Sequence, residues 1–149
     1  MRSLTWWFRM VGAIYMLLGL GFLPALNAAR LPQLLPGFDA PIDGVAFRAL
    51  LDYTLMFGLD LFVIGAFLLG AARAPQRYVP VVWLVLALEL VRGIFDDVYM
   101  LARGYAAPIY FGFIVLHVII IITGIVSVRQ ARAEEDGDTA LDAARAAMA

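Results

Sequence analysis

The stretch VPVVWLVLALELVRGIFDDVYM, residues 79–100, decides the architecture of this chain. It is long enough to cross a bilayer as a helix, which takes about 20 mainly apolar residues. Yet it carries Glu89 and Arg92 well inside its apolar run. A charge at membrane depth is costly unless it is paired or wetted, so such side chains turn toward a bundle interior. A helix of this kind therefore predicts neighbours that cover its polar side.

Three further apolar stretches supply them, at about residues 7–26, 53–72 and 108–128. Two also hold an ionisable residue at depth, Asp60 in the second span and His117 in the fourth. Strands cannot satisfy their backbone singly in lipid, and the alternation of a β-barrel is absent, so all four segments are predicted helices. The fold class is all-α: an integral membrane four-helix up-down bundle at residues 1–130. A polar, flexible tail is expected at residues 131–149. A short helix after Asp138 would be marginal in isolation.

Composition agrees. Of 149 residues, 64% are hydrophobic, and mean hydropathy is +0.89. A soluble domain holds about 45–50% apolar residues, so this excess needs a lipid solvent. A net charge of −1 offers no basic face for nucleic acid. The absence of cysteine excludes disulfides, thiol chemistry and thiolate metal sites, and the single histidine excludes a multi-histidine centre. No cofactor and no metal is expected. Nor is there a nucleophile elbow, a phosphate loop or an HExxH helix.

Punctuation and charge set the expected topology. Pro24 and Asn27 close the first span, and a Pro-, Gly- and Asp-rich connector at residues 31–44 precedes the second. The turn ARAPQRYVP is short, which predicts that spans two and three are antiparallel neighbours. Arg2, Arg9, Arg73, Arg77, Arg129 and Arg132 flank one side. Arg30, Arg48 and Arg103 flank the other, among Asp39, Asp43, Asp52, Asp96 and Asp97. Under the positive-inside rule both termini are expected to be cytoplasmic. A cleaved signal peptide is the alternative for the first span. Its apolar run is too long for one and is interrupted by two tryptophans and an arginine at its start.

The rise of about 1.5 Å per residue gives depths. Asp60 falls level with Arg92, and Glu89 level with His117, in the outer half of the membrane. In the third span Val85, Glu89, Arg92, Asp96 and Tyr99 are spaced 4, 3, 4 and 3, which draws one stripe on an α-helix. On it Glu89 can meet Arg92, and Arg92 can meet Asp96. Tyr15 on the first span and Tyr53 on the second join them as candidate members of an intramembrane polar cluster: Asp60, Glu89, Arg92, His117, Asp96, Tyr15 and Tyr53. Gly12 and Gly19 on the first span, and Gly112 and Gly124 on the fourth, suit close helix contact.

This cluster has two readings. It is a structural clamp, in which buried pairs select how the faces pack. Or it is a site, in which the charged layer orients a ligand and Glu89 or Asp60 with His117 moves a proton. A metal site at Asp60, Glu89 and His117 is disfavoured because Arg92 in the same layer repels a cation.

The opening LTWWFRMVGAIYMLLGLGFL (4–23), the segment FRALLDYTLMFGLDLFVIGAFLL (47–69) and the motif LELVRGIFDD (88–97) together resemble the BphX-like family. Its members are small four-helix bacterial membrane proteins named from one encoded among biphenyl-degradation genes. The resemblance spans about residues 4–129. DoxX-like membrane proteins are a looser alternative, similar in layout and in the start of the helix at residues 47–50. The resemblance implies an accessory role near aromatic catabolism and assigns no functional residue. The favoured function is non-enzymatic: binding, or helping to move, a small amphipathic or aromatic compound in a polar-centred cavity. An aromatic acid held at its carboxylate by Arg92 is one concrete form. The rivals are an accessory subunit, with Gly12 and Gly19 as the face for a partner helix, and a membrane enzyme with a carboxylate–histidine acid/base pair. The expected partners are the lipid bilayer, a small ligand, and a second copy or a partner membrane protein.

Overall fold

The computed structural model describes residues 2–148, apart from the side chains of residues 138, 139 and 141–143. Helix α1 spans Arg2–Gly21, the short α2 Pro24–Leu34, and α3 Val45–Ala71. A 3₁₀ turn at Pro75–Tyr78 leads into α4 (Val79–Leu88), a π-helical segment (Glu89–Phe95) and α5 (Asp96–Ala102), which together form one rod. Helix α6 spans Ala107–Met148. Among the described residues there is no strand. Four of these stretches are long and apolar enough to cross a membrane: Arg2–Gly21, Val45–Ala71, Pro75–Ala102 and Ala107–Gly137. The polar tail, expected to be flexible, is helical here and continues α6 to Met148.

The breaks follow local chemistry. Leu23 precedes Pro24 and takes an extended backbone (φ −55°, ψ 134°), because proline disfavours the helical state in the residue before it. Pro24 then starts α2 without missing a hydrogen bond. Gly104 turns the chain between α5 and α6 at φ +83°, where a side chain would be strained.

Neighbouring spans alternate in direction. Gly12 meets Gly65 while Gly19 meets Gly58, so α1 and α3 are antiparallel. Leu86 lies at Gly124 while Gly93 lies at His117, so the third span and α6 are antiparallel as well. Both termini therefore sit at one end of the bundle, and α2 covers the other. Helix α1 is the hub, packing on α3 along its length and on α6. Of its apolar window 39% is buried, against 22% to 28% for the other spans.

One expectation is overturned. Spans two and three are joined by a short turn but do not pack along each other; α3 is held by α1, and the third span by α6. Glycine is the reason. A Cβ at Gly12 would lie 2.9 Å from the Gly65 oxygen, and one at Gly19 only 2.6 Å from the Gly58 oxygen. Backbones this close exist only because both helices carry glycine at each crossing, and dispersion over that surface is what associates helices in lipid. Gly12 and Gly19 are thus consumed inside the chain and are not a free face for a partner. Gly124 packs against Trp7 and Leu86, whereas Gly112 has open space around it.

The half of the bundle near the termini is solid. Leu4, Phe8, Leu68, Val82, Val85 and Val128 are at most 1% exposed, and the Trp7 indole donates to the Ile120 carbonyl at 3.1 Å. Large side chains such as Trp6, Val63, Trp83, Phe95 and Phe111 point outward, which suits a helical membrane bundle whose solvent is lipid. The half near α2 is hollow.

Candidate functional site

Four polar side chains converge on the floor of that hollow, from three helices. Glu89 is the centre, its side chain 1% exposed. The Tyr15 hydroxyl of α1 donates to its Oε1, and His117 Nδ1 of α6 contacts its Oε2. The other imidazole nitrogen, Nε2, lies 3.4 Å from Asp97 Oδ2. The result is a chain of phenol, carboxylate, imidazole and carboxylate. An imidazole held between two carboxylates can accept a proton at one nitrogen and release one from the other.

The π-helical segment creates this arrangement. On an α-helix the polar stripe would run Glu89, Arg92, Asp96. A π turn takes more residues per turn, so the face toward α6 becomes Glu89, Gly93 and Asp97. Glu89 and Asp97 are buried, while Arg92 and Asp96 are displaced to the rim of the hollow and are exposed. Arg92 forms no ion pair with Glu89, Asp96 or Asp60. Its guanidinium lies over the Phe57 ring of α3, 4.5 Å from the centroid.

Two expected members lie elsewhere. Asp60 is exposed on the outer surface of α3 and makes no ion pair with any described residue. Gly58 turns to α1, and Asp60 follows it by about 200° of helical rotation, which carries it off the α1 side. Tyr53 is 73% exposed near the α2 end of the same helix. Tyr15, Glu89 and His117 are brought together; Arg92 and Asp96 line the same hollow farther out.

The hollow is a cavity of about 330 Å³. That is within the usual range for small-molecule sites, about 300–1,000 Å³. Its walls are mainly apolar: Leu18 from α1, Phe22 from the turn after it, Leu61 and Ile64 from α3, and Phe113 from α6 among them. Helix α2 roofs it and is tied down at two points. Buried Asn27 donates to the Thr54 hydroxyl at 2.8 Å, and Ala106 N–H donates to the Leu34 carbonyl at 3.0 Å. Thr54 is itself anchored, donating to the Leu50 carbonyl at 2.8 Å.

Arg30 of α2, outside the predicted cluster, completes the site. Its guanidinium sits over Phe22, 4.5 Å from the centroid, and Phe22 meets Phe57 edge to face with centroids 5.0 Å apart. Two guanidinium groups thus flank one aromatic pair. Arg30 Nε is buried without a hydrogen-bond partner. Burial pulls this guanidinium below its ordinary value, which the Tyr110 phenol opposes; it stays charged at neutral pH all the same. Asp97 Oδ2 likewise lacks a hydrogen-bond partner. Asp97 and Gly93 were legible as residues on the third span but not as cavity residues, because the π turn that aims them has no sequence signature. Arg30 had only its place beyond the first span, which reads as an interfacial charge.

Comparison with known proteins places this geometry in context. A sequence model of the BphX-like family matches residues 1–133. Two uncharacterised BphX-like proteins, from Burkholderia cepacia and from Paraburkholderia xenovorans strain LB400, are each 32% identical to the chain over 111 residues. The matched region covers 73% of this chain and 78% of each relative. No solved structure matches the chain at a significant level.

Proposed function

The chain belongs to the BphX-like family, and on that premise we propose that it is a membrane protein binding a small amphipathic or aromatic compound in its bundle cavity. The observation that carries this reading is the cavity itself. Apolar and aromatic walls surround about 330 Å³, and a few polar groups converge on it. The walls take the body of the compound, and the polar groups orient its head. Both termini lie in the cytoplasm of a bacterial cell in this reading, supported by the six arginines at that end of the bundle. The cavity then occupies the outer half of the inner membrane. Movement of the compound across the membrane, if the protein performs it, calls for a second copy or a partner, since the half toward the termini is solidly packed.

A clamp would be a closed and fully paired polar layer. Here the layer borders a hollow, and Arg30 Nε and Asp97 Oδ2 are buried without hydrogen bonds. That argues for a site.

The test is binding of 2-naphthoate to the purified protein in nanodiscs, followed by the rise in its thermal midpoint. A ligand at 100 times its dissociation constant stabilises by about 2.7 kcal/mol. Leu61→Trp, which fills the cavity, is expected to abolish the rise while the variant still unfolds cooperatively. If naphthoate and decanoate both fail to shift the wild type, the binding reading is wrong.

The second reading, acid/base catalysis, is favoured by one observation: Glu89 and His117 are in direct contact at the cavity wall, as a general-base pair requires. Turnover of a bound compound that is lost in His117→Gln with binding retained would establish it.

A further inference from the structure

The cavity is partly open. Helix α1 closes it against α3, α6 closes it against the third span, α2 roofs it, and the core near the termini floors it. Between α3 and the third span packing is sparse, with Phe67 against Tyr78 near the turn and Arg92 over Phe57, and a second hollow there is lined by Phe57, Val91, Arg92, Phe95 and Asp96. Val91 and Phe95 are 61% and 70% exposed. This mouth faces sideways, where a membrane bundle meets acyl chains rather than water.

Charge accounts for what would pass through it. The carboxylate of Glu89 is taken by Tyr15 and His117, and that of Asp97 faces His117. Among the described residues the guanidinium groups of Arg30 and Arg92 lie against rings and form no ion pair, and Asp96 at the rim is an opposing charge on the same hollow. A carboxylate bound by a guanidinium in two parallel hydrogen bonds is a stronger partner than an aromatic face.

We propose that the ligand is a lipophilic acid that reaches the cavity from within the bilayer, through the gap between α3 and the third span, where Arg92 lying on Phe57 bars the mouth until the ligand's carboxylate takes its guanidinium. This rests on the cavity reading above and adds the ligand's charge and its route. Arg92 binds the head at the mouth, and the guanidinium of Arg30, which also lines the cavity, receives it inside.

The experiment is stopped-flow binding of 2-naphthoate, and of the uncharged 2-naphthalenemethanol, to the full chain in nanodiscs. Val91→Trp narrows the mouth without touching the cavity walls. It is expected to slow association and dissociation together by about tenfold, leaving affinity within about twofold, because an obstacle on a path alters both rates alike. Phe57→Leu, which removes the ring under Arg92, is expected to speed both. Unchanged rates in Val91→Trp, with wild-type binding intact, overturn the lateral route. The wild type is expected to prefer the acid over the alcohol by about tenfold, in keeping with a charge-assisted head contact, and Arg30→Gln, which removes the inner guanidinium, to abolish that preference. Equal affinity of the wild type for acid and alcohol overturns the assignment of an acid. Absence of any binding by the wild type overturns the cavity reading as well.

Discussion

Gly93 lies directly beneath the His117 imidazole: a Cβ on Gly93 would fall 2.6 Å from Nδ1. The same nitrogen contacts Glu89. Glycine at this one position of the π segment lets the ring come down onto the third span, so the polar centre depends on an absent side chain as much as on those present.

Gly93→Ala is therefore expected to push the imidazole off Glu89, leaving a buried carboxylate with Tyr15 alone. Leaving such a group short of a partner costs about 1–3 kcal/mol, read as a fall in the thermal midpoint in detergent. His117→Gln in the Gly93→Ala background should then cost little more, because the contact it removes is already broken. Additive losses would place the role of Gly93 elsewhere.

Tyr15→Phe removes one of the two partners of Glu89 and leaves the cavity walls intact. The expected loss is about 1–3 kcal/mol, since the buried acceptor loses its donor. Glu89→Gln keeps the shape and one hydrogen-bonding role, so the double variant should be less than additive. A Tyr15→Phe protein as stable as the wild type would mean that its hydroxyl is not engaged with Glu89.

The glycines make a paired prediction. Gly19→Val puts a branched side chain where even a Cβ would meet the Gly58 oxygen at 2.6 Å and the Phe62 nitrogen at 2.8 Å. It should force α1 from α3 and prevent recovery of folded protein, since overpacking a close crossing already costs about 1–3 kcal/mol where side chains can yield, and backbone cannot. Gly112→Ala meets nothing within 4 Å and should be neutral or slightly stabilising by helix propensity, about 1 kcal/mol at most. Size-exclusion profiles and thermal midpoints of the two separate the cases; equal behaviour would refute the crossing.

Asp60→Asn tests the exposed carboxylate. It has no ion-pair partner among the described residues and faces outward on a helix apolar enough to cross a membrane, where a charge disfavours insertion by about 2.5–3.5 kcal/mol at a helix centre. Neutralising it should leave the midpoint in nanodiscs unchanged or raise it. A fall of several degrees would show that Asp60 is bound by another group in the assembled protein.

Much of the architecture was legible because bilayer thickness imposes a length. Four apolar runs of the right size, broken by Pro24, Gly104 and the short turn before Val79, leave few alternatives to four helices. A constant rise per residue let the sequence pair Glu89 with His117, and the structure brings the two into contact. Azimuth was not legible. The stripe drawn through Arg92 and Asp96 assumed α-helical rotation, and the π turn at Glu89–Phe95 replaced it with Gly93 and Asp97. Asp60 points outward from α3, away from the cluster it was expected to join.

The amino-acid sequence by itself determined that this is an all-helical bundle, and which four segments are long and apolar enough to cross a membrane. These properties follow from hydrophobic length and helical rise, both local. Tertiary structure alone decided which spans touch and which polar groups meet. Close approach of Gly12 to Gly65 and of Gly19 to Gly58 bound α3 to α1, which left α3 and the third span apart and opened the cavity between them. Neighbour choice in lipid depends on how surfaces fit, and no single segment carries that information.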